Sequence, residues 1–181
     1  MNNYHFNLNL PVPFIPYEVA PSPFKEVPMD INLVNKEFVE WLESIGLTFY
    51  MGRFFKSPPF VNYALHIDGK AAKDCVKINL VFDSSDTIMN WYEPLPGYNG
   101  TIKPNPLGES VVYYEKERCK ILHSAQVNSH CVINGNVVHD LKNGLNHGQT
   151  RKCYSIFLID AKTSDRLKWD NAMKIFKPYM V

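Results

Sequence analysis

His66 and Asp68 stand two residues apart in Tyr63-Ala-Leu-His-Ile-Asp-Gly69, and a segment far downstream brings His139 and then Arg151. On an extended strand side chains alternate faces, so His66 and Asp68 project together while Ile67 turns into a packed layer. Two metal ligands then come from one short stretch. A third from a distant strand, His139, completes a two-histidine, one-carboxylate facial set, which leaves coordination positions open for oxygen chemistry at ferrous iron.

Twelve residues after His139, Arg151 opens a second pattern. In Arg151-Lys-Cys-Tyr-Ser155 an extended strand puts Arg151, Cys153 and Ser155 on one face. A guanidinium is a planar donor fork that matches a carboxylate, and an inward-facing arginine in an apolar barrel requires an anionic partner. A bound diacid would supply it.

The fold has to bring these residues together, because Asp68 and His139 are too far apart for any local motif. From Leu47 to Ile159 the chain runs in short stretches rich in Val, Ile, Phe and Tyr, divided by Pro, Gly and Asn. That pattern predicts antiparallel strands near 47–55, 61–68, 75–82, 87–93, 110–115, 118–125, 130–134, 137–141 and 151–159. Asn134-Gly135, between two β-prone stretches, predicts a type I′ hairpin that delivers His139. Residues 94–109, dense in Pro and Gly, are expected to form a long loop bordering a substrate opening. A ribbon of strands folded back on itself, as in a jelly roll, explains how such distant residues meet.

Outside the β region, Phe38, Trp41, Leu42 and Ile45 fall at helical spacing between a capping Asn35 and Gly46. A second helix is expected after Ser164, within 164–177. Residues 1–29 carry Pro11, Pro13, Pro16, Pro21, Pro23 and Pro28 among apolar side chains, the composition of an extended arm that packs on its own domain.

The stretches 63–69, Ile78-Asn-Leu-Val-Phe82, Asn90-Trp-Tyr-Glu93, Val138-His-Asp-Leu-Lys-Asn143 and Arg151-Lys-Cys-Tyr-Ser-Ile156 together resemble the 2-oxoglutarate and Fe(II)-dependent oxygenases. Within that superfamily the likeness is to small members of the aspartyl/asparaginyl and prolyl hydroxylase branches. It covers roughly residues 60–160. The resemblance implies a mainly β, double-stranded β-helix (jelly roll, cupin-like) with flanking N- and C-terminal helices. It makes His66, Asp68 and His139 the Fe(II) ligands, with no catalytic residue beyond them. Arg151 would pair with the far carboxylate of the cosubstrate 2-oxoglutarate and Ser155 would be a second contact, although the family's common spacing is the shorter R-x-S. Tyr63 holds the place of a tyrosine that some prolyl hydroxylases turn to that carboxylate, but on a regular strand its odd spacing from His66 points it to the opposite face. The implied activity is hydroxylation of a C–H bond in a peptidyl residue or small molecule, with 2-oxoglutarate decarboxylated to succinate. Trp91 and Tyr92 are expected in the wall that shields the site.

Composition narrows the alternatives. The 181 residues fit one domain, and 19 Lys and Arg against 18 Asp and Glu leave no basic excess for nucleic acid. The N-terminal residues do not read as a signal peptide and no apolar run is long enough to span a membrane, so a soluble cytoplasmic protein is expected. Cys75, Cys119, Cys131 and Cys153 form no C-x-x-C pair and read as small buried hydrophobes. His123, His130 and His147, with Cys119 and Cys131, are zinc-compatible in type, but neighbours such as His130 and Cys131 face opposite ways on a strand. His5 carries no inference. Two rival functions remain: a cupin-like metalloenzyme that does not use 2-oxoglutarate, and a jelly-roll binding or structural module without turnover.

Overall fold

A computed structural model describes residues 3–19, 26–68, 75–83, 86–105, 110–143 and 150–181. Among these, the chain forms twelve strands in two antiparallel six-stranded sheets, with two short α-helices. In chain order the strands are β1 (His5–Asn7), β2 (Glu26–Pro28), β3 (Leu47–Ser57), β4 (His66–Ile67), β5 (Val76–Phe82), β6 (Ile88–Pro94), β7 (Thr101–Pro104), β8 (Ser110–Tyr113), β9 (Cys119–Gln126), β10 (Cys131–Asn134), β11 (Val138–Lys142) and β12 (Arg151–Asp160). One sheet runs β1-β10-β5-β12-β3-β2 and the other β7-β8-β4-β11-β6-β9. From β3 to β6 and again from β10 to β12, successive strands alternate between the sheets.

Both faces of the first sheet are covered, which explains why β5 is buried almost along its whole length and β12 through Cys153–Ile156. The outer face, with Phe54, Ile78, Leu80, Val132, Tyr154 and Ile156, packs under α1 (Lys36–Ser44) and α2 (Trp169–Ile175). The proline-rich arm joins this layer: Phe14 is buried against Phe38 and Tyr154, and the Tyr154 hydroxyl donates to the Tyr17 carbonyl. Asn35 begins α1 without capping it by side chain. It reaches instead to the arm, accepting from Ile15 N–H and donating to the Pro13 carbonyl, both at 3.0 Å. Gly46 follows α1 with φ +78°, the left-handed turn that glycine adopts without strain. Among the described residues no helix is long and apolar enough to cross a membrane.

Three expectations are corrected. Residues 61–68 hold only the two-residue strand β4, because Pro58 and Pro59 precede it and Phe60 takes φ +62°. The 94–109 segment is not all loop: β7 pairs with β8 at the edge of its sheet, where Pro104 needs no N–H partner, and 106–109 lie outside the described residues. Asn134-Gly135 makes no hairpin. β10 and β11 lie in different sheets, and Gly135 is not among the glycines with positive φ that a type I′ turn requires.

Candidate metal centre

β4 and β11 are neighbours, and His66 and His139 are directly opposite in register. Their rings lie 4.6 Å apart between centroids. Asp68, just past β4, is anchored by its N–H to the Gly135 carbonyl at 3.1 Å. Its Oδ1 lies 3.8 Å from His66 Nε2 and its Oδ2 3.5 Å from His139 Nε2. Ligand atoms from all three residues fall within 4.8 Å of one another. Two ligands about 2.1 Å from a common ion and at right angles would be about 3 Å apart, so the three ligand atoms would draw together from their present spacing to hold a metal.

The tautomers favour metal binding. His66 Nδ1 and His139 Nδ1 each lie 2.8 Å from the carbonyl two residues upstream, Ala64 and Val137. A carbonyl can only accept, so both Nδ1 atoms carry hydrogen and Nε2 is the nitrogen each ring turns toward Asp68, the one left to ligate a metal. Burial lowers the His139 pKa to about 3, keeping its imidazole neutral. Burial alone would raise the Asp68 carboxyl, but the Lys77 ammonium overrides it and holds the group well below the usual carboxylate range.

Lys77 is a member of the site that the sequence reading missed. Its Nζ lies 2.6 Å from Asp68 Oδ2 and its side chain is buried. A signal was present: Lys77 and Asn79 are two residues apart in the otherwise apolar strand β5, the period of one strand face. Because the other face meets the core under the helices, these polar residues point between the sheets.

Across from them on β12 the register pairs Lys77 with Phe157 and Asn79 with Ser155. Lys77 Nζ stands 5.4 Å from the Phe157 ring centre. Ser155, Cys153 and Arg151 therefore share the face that looks toward Asp68. Arg151 and Ser155 are 3% and 1% exposed, and Arg151 Nε, Arg151 Nη2, Ser155 Oγ and Asn79 Oδ1 meet no hydrogen-bond partner among the described residues. Asn143, at the end of β11, donates to the carbonyl of Ser57, and Ser57 is the register partner of Arg151. Measured from that tie, His139 and Ser155 are each four residues along their strands, about 13 Å. Lys77, which holds Asp68, is in register with Phe157, two residues beyond Ser155, so the metal cluster lies toward that end of β12 and Arg151 at the other.

Tyr63 reaches Arg151's neighbourhood despite its spacing. Residues 61–65 are irregular, and Tyr63 is held by its N–H on the Leu141 carbonyl while its hydroxyl lies 2.8 Å from Ser57 Oγ. Burial raises the Tyr63 pKa, and the charge of Arg151 opposes that rise. Trp91 and Tyr92 part company. Trp91 pairs with His139 and is buried on the inward face, whereas Tyr92 points to the opposite face and donates to Asp140 at 2.7 Å. Only Trp91 can wall the site, since adjacent strand residues cannot share a face.

The zinc-compatible set does not assemble. His130 Nδ1 accepts from Val81 N–H, His123 stacks with Tyr4, and His147 lies outside the described residues. His66, Asp68 and His139 are the one such group of potential ligands among the described residues. No protein-family model, curated protein or solved structure matches the chain.

Proposed function

We propose that the chain is an Fe(II)- and 2-oxoglutarate-dependent dioxygenase that hydroxylates a C–H bond of a peptidyl residue or small molecule. The observation that carries this reading is Arg151, buried with two nitrogens unpartnered on the same inward face of β12 as the unpartnered hydroxyl of Ser155, the face that looks toward the metal cluster. An uncompensated buried guanidinium is costly, and an anionic ligand is what would offset it. The strand order supports a jelly roll. With β1, β2 and the β7–β8 pair set aside, the sheets read β10-β5-β12-β3 and β4-β11-β6-β9, the order of a ribbon folded over on itself.

In this reading His66 Nε2, His139 Nε2 and Asp68 Oδ1 hold the metal, and both imidazoles are oriented by their Nδ1 bonds. Arg151, with Ser155 as a second inward-facing group of β12, would take the far carboxylate of the cosubstrate. Tyr63 closes the Arg151 end through Ser57. Trp91 excludes water beside His139. Bound together, ferrous iron and 2-oxoglutarate supply oxidative decarboxylation to succinate coupled to C–H hydroxylation by dioxygen.

Anaerobic titration of Fe(II)-loaded protein with 2-oxoglutarate tests the reading. A weak visible charge-transfer band is expected, diminished in Arg151→Ala. If iron binds and no band develops, the cupin-like or non-catalytic alternative replaces it.

A further inference from the structure

We infer that Lys77 is the built-in counter-charge of Asp68: its ammonium holds the carboxylate when no metal ion is bound and competes with a divalent ion for it, so Lys77 sets how tightly the site takes metal. The inference rests on the metal-site part of the proposed function and is independent of 2-oxoglutarate.

Asp68 is 13% exposed at its side chain, and a carboxylate at that depth needs compensation. The two histidines make no close contact with the carboxylate, their Nε2 atoms standing 3.8 and 3.5 Å from it. Each turns its Nδ1 hydrogen away to a backbone carbonyl at 2.8 Å. Lys77 supplies the cation, at 2.6 Å from Oδ2. It is also confined. Lys77 sits in the middle of its sheet with Ile133 beside it on β10 and Phe157 beside it on β12. Apart from Asp68, the described contact of its ammonium is the Phe157 ring. It therefore cannot swing to solvent when a metal ion arrives.

A divalent ion ligated by Asp68 Oδ1 would lie close to this ammonium in a buried setting, where like charges repel strongly. Lys77 also withdraws Oδ2, which disfavours two-oxygen ligation by Asp68. The same lysine thus stabilises the metal-free protein and weakens the metal complex. A lysine with a merely structural role would do only the first.

The test compares wild type, Lys77→Met and the double variant Lys77→Met/Asp68→Asn, using Mn(II) as probe in calorimetric titration and thermal melts. Lys77→Met is expected to melt about 10 °C lower without metal, to bind Mn(II) at least about tenfold more tightly, and to gain more melting temperature from saturating Mn(II) than wild type does. The double variant should recover most of the lost melting temperature and bind no Mn(II). If Lys77→Met does not fold without metal, refolding in Mn(II) should rescue it, and failure of that rescue overturns the inference. Mn(II) affinity equal to or below wild type in Lys77→Met overturns it, as does a double variant no more stable than the single one. Loss of the 2-oxoglutarate band with these Mn(II) results intact would sink the cosubstrate assignment and leave Lys77's role standing.

Discussion

The backbone of Gly135 forms the floor beneath the carboxylate of Asp68. Its carbonyl accepts from Asp68 N–H at 3.1 Å, its N–H donates to Cys75 O at 2.7 Å, and a Cβ built at 135 would overlap Asp68 Oδ2. The glycine is needed here for close approach and not for a left-handed φ. Gly135→Ala is expected to displace Asp68, weakening Mn(II) binding by about 10- to 100-fold and stability by about 1–3 kcal/mol. Titration calorimetry and urea unfolding would check both, and unchanged metal affinity would show that the carboxylate does not depend on this floor.

The metal set predicts an asymmetric response to substitution. Asp68→Asn and His139→Ala should each weaken Mn(II) or Fe(II) binding by more than about 100-fold. Asp68→Asn also leaves Lys77 buried without its anion and should cost about 3–5 kcal/mol in the metal-free protein. Equilibrium dialysis with metal analysis measures the first effect and chemical denaturation the second.

Arg151→Met separates cosubstrate from metal. Removing a buried guanidinium with two unpartnered nitrogens should raise the melting temperature by about 2–8 °C in the ligand-free protein. Mn(II) affinity should stay within about twofold while 2-oxoglutarate binding falls by more than about 100-fold. A variant less stable than wild type would mean that Arg151 is already compensated.

Acid should loosen the fold before the carboxylates titrate. Burial lowers the pKa of His5 to about 4, helped by the charge of His123, and that of His139 to about 3. In the unfolded chain both return to about 6.5 and bind protons more readily than in the native state. The stability they contribute is therefore complete above about pH 6.5 and is lost as pH falls toward their folded values, by about 1.4 kcal/mol per pH unit for each. His5→Phe keeps a ring on Trp91, where His5 stacks at 4.9 Å, and should flatten the decline between pH 6.5 and 4.5 by one histidine's share. Urea melts across that range measure the slope, and an unchanged slope would remove His5 from the acid response.

Local chemistry marked much of this protein in advance. Alternation along single strands is a short-range property, so it correctly put His66 with Asp68 and Arg151 with Ser155, and helical spacing around Phe38 and Trp41 located α1 within two residues. All nine expected strands have counterparts, while the three-residue β1 and β2 and the edge strand β7 carry too few alternating positions to stand out. Whatever depended on which strands become neighbours stayed hidden. Asn134-Gly135 was conspicuous, yet its purpose became visible only once the crossover was seen pressed between Asp68 and Cys75. Lys77 looked like an ordinary polar strand position until helices covered the other face of its sheet. Tyr63 meets Ser57, the register partner of Arg151, because the chain before β4 leaves regular strand geometry. Residue type and period determine which side chains can share a face; the order of strands across two packed sheets decides which faces meet, and that order depends on burial summed over the whole chain.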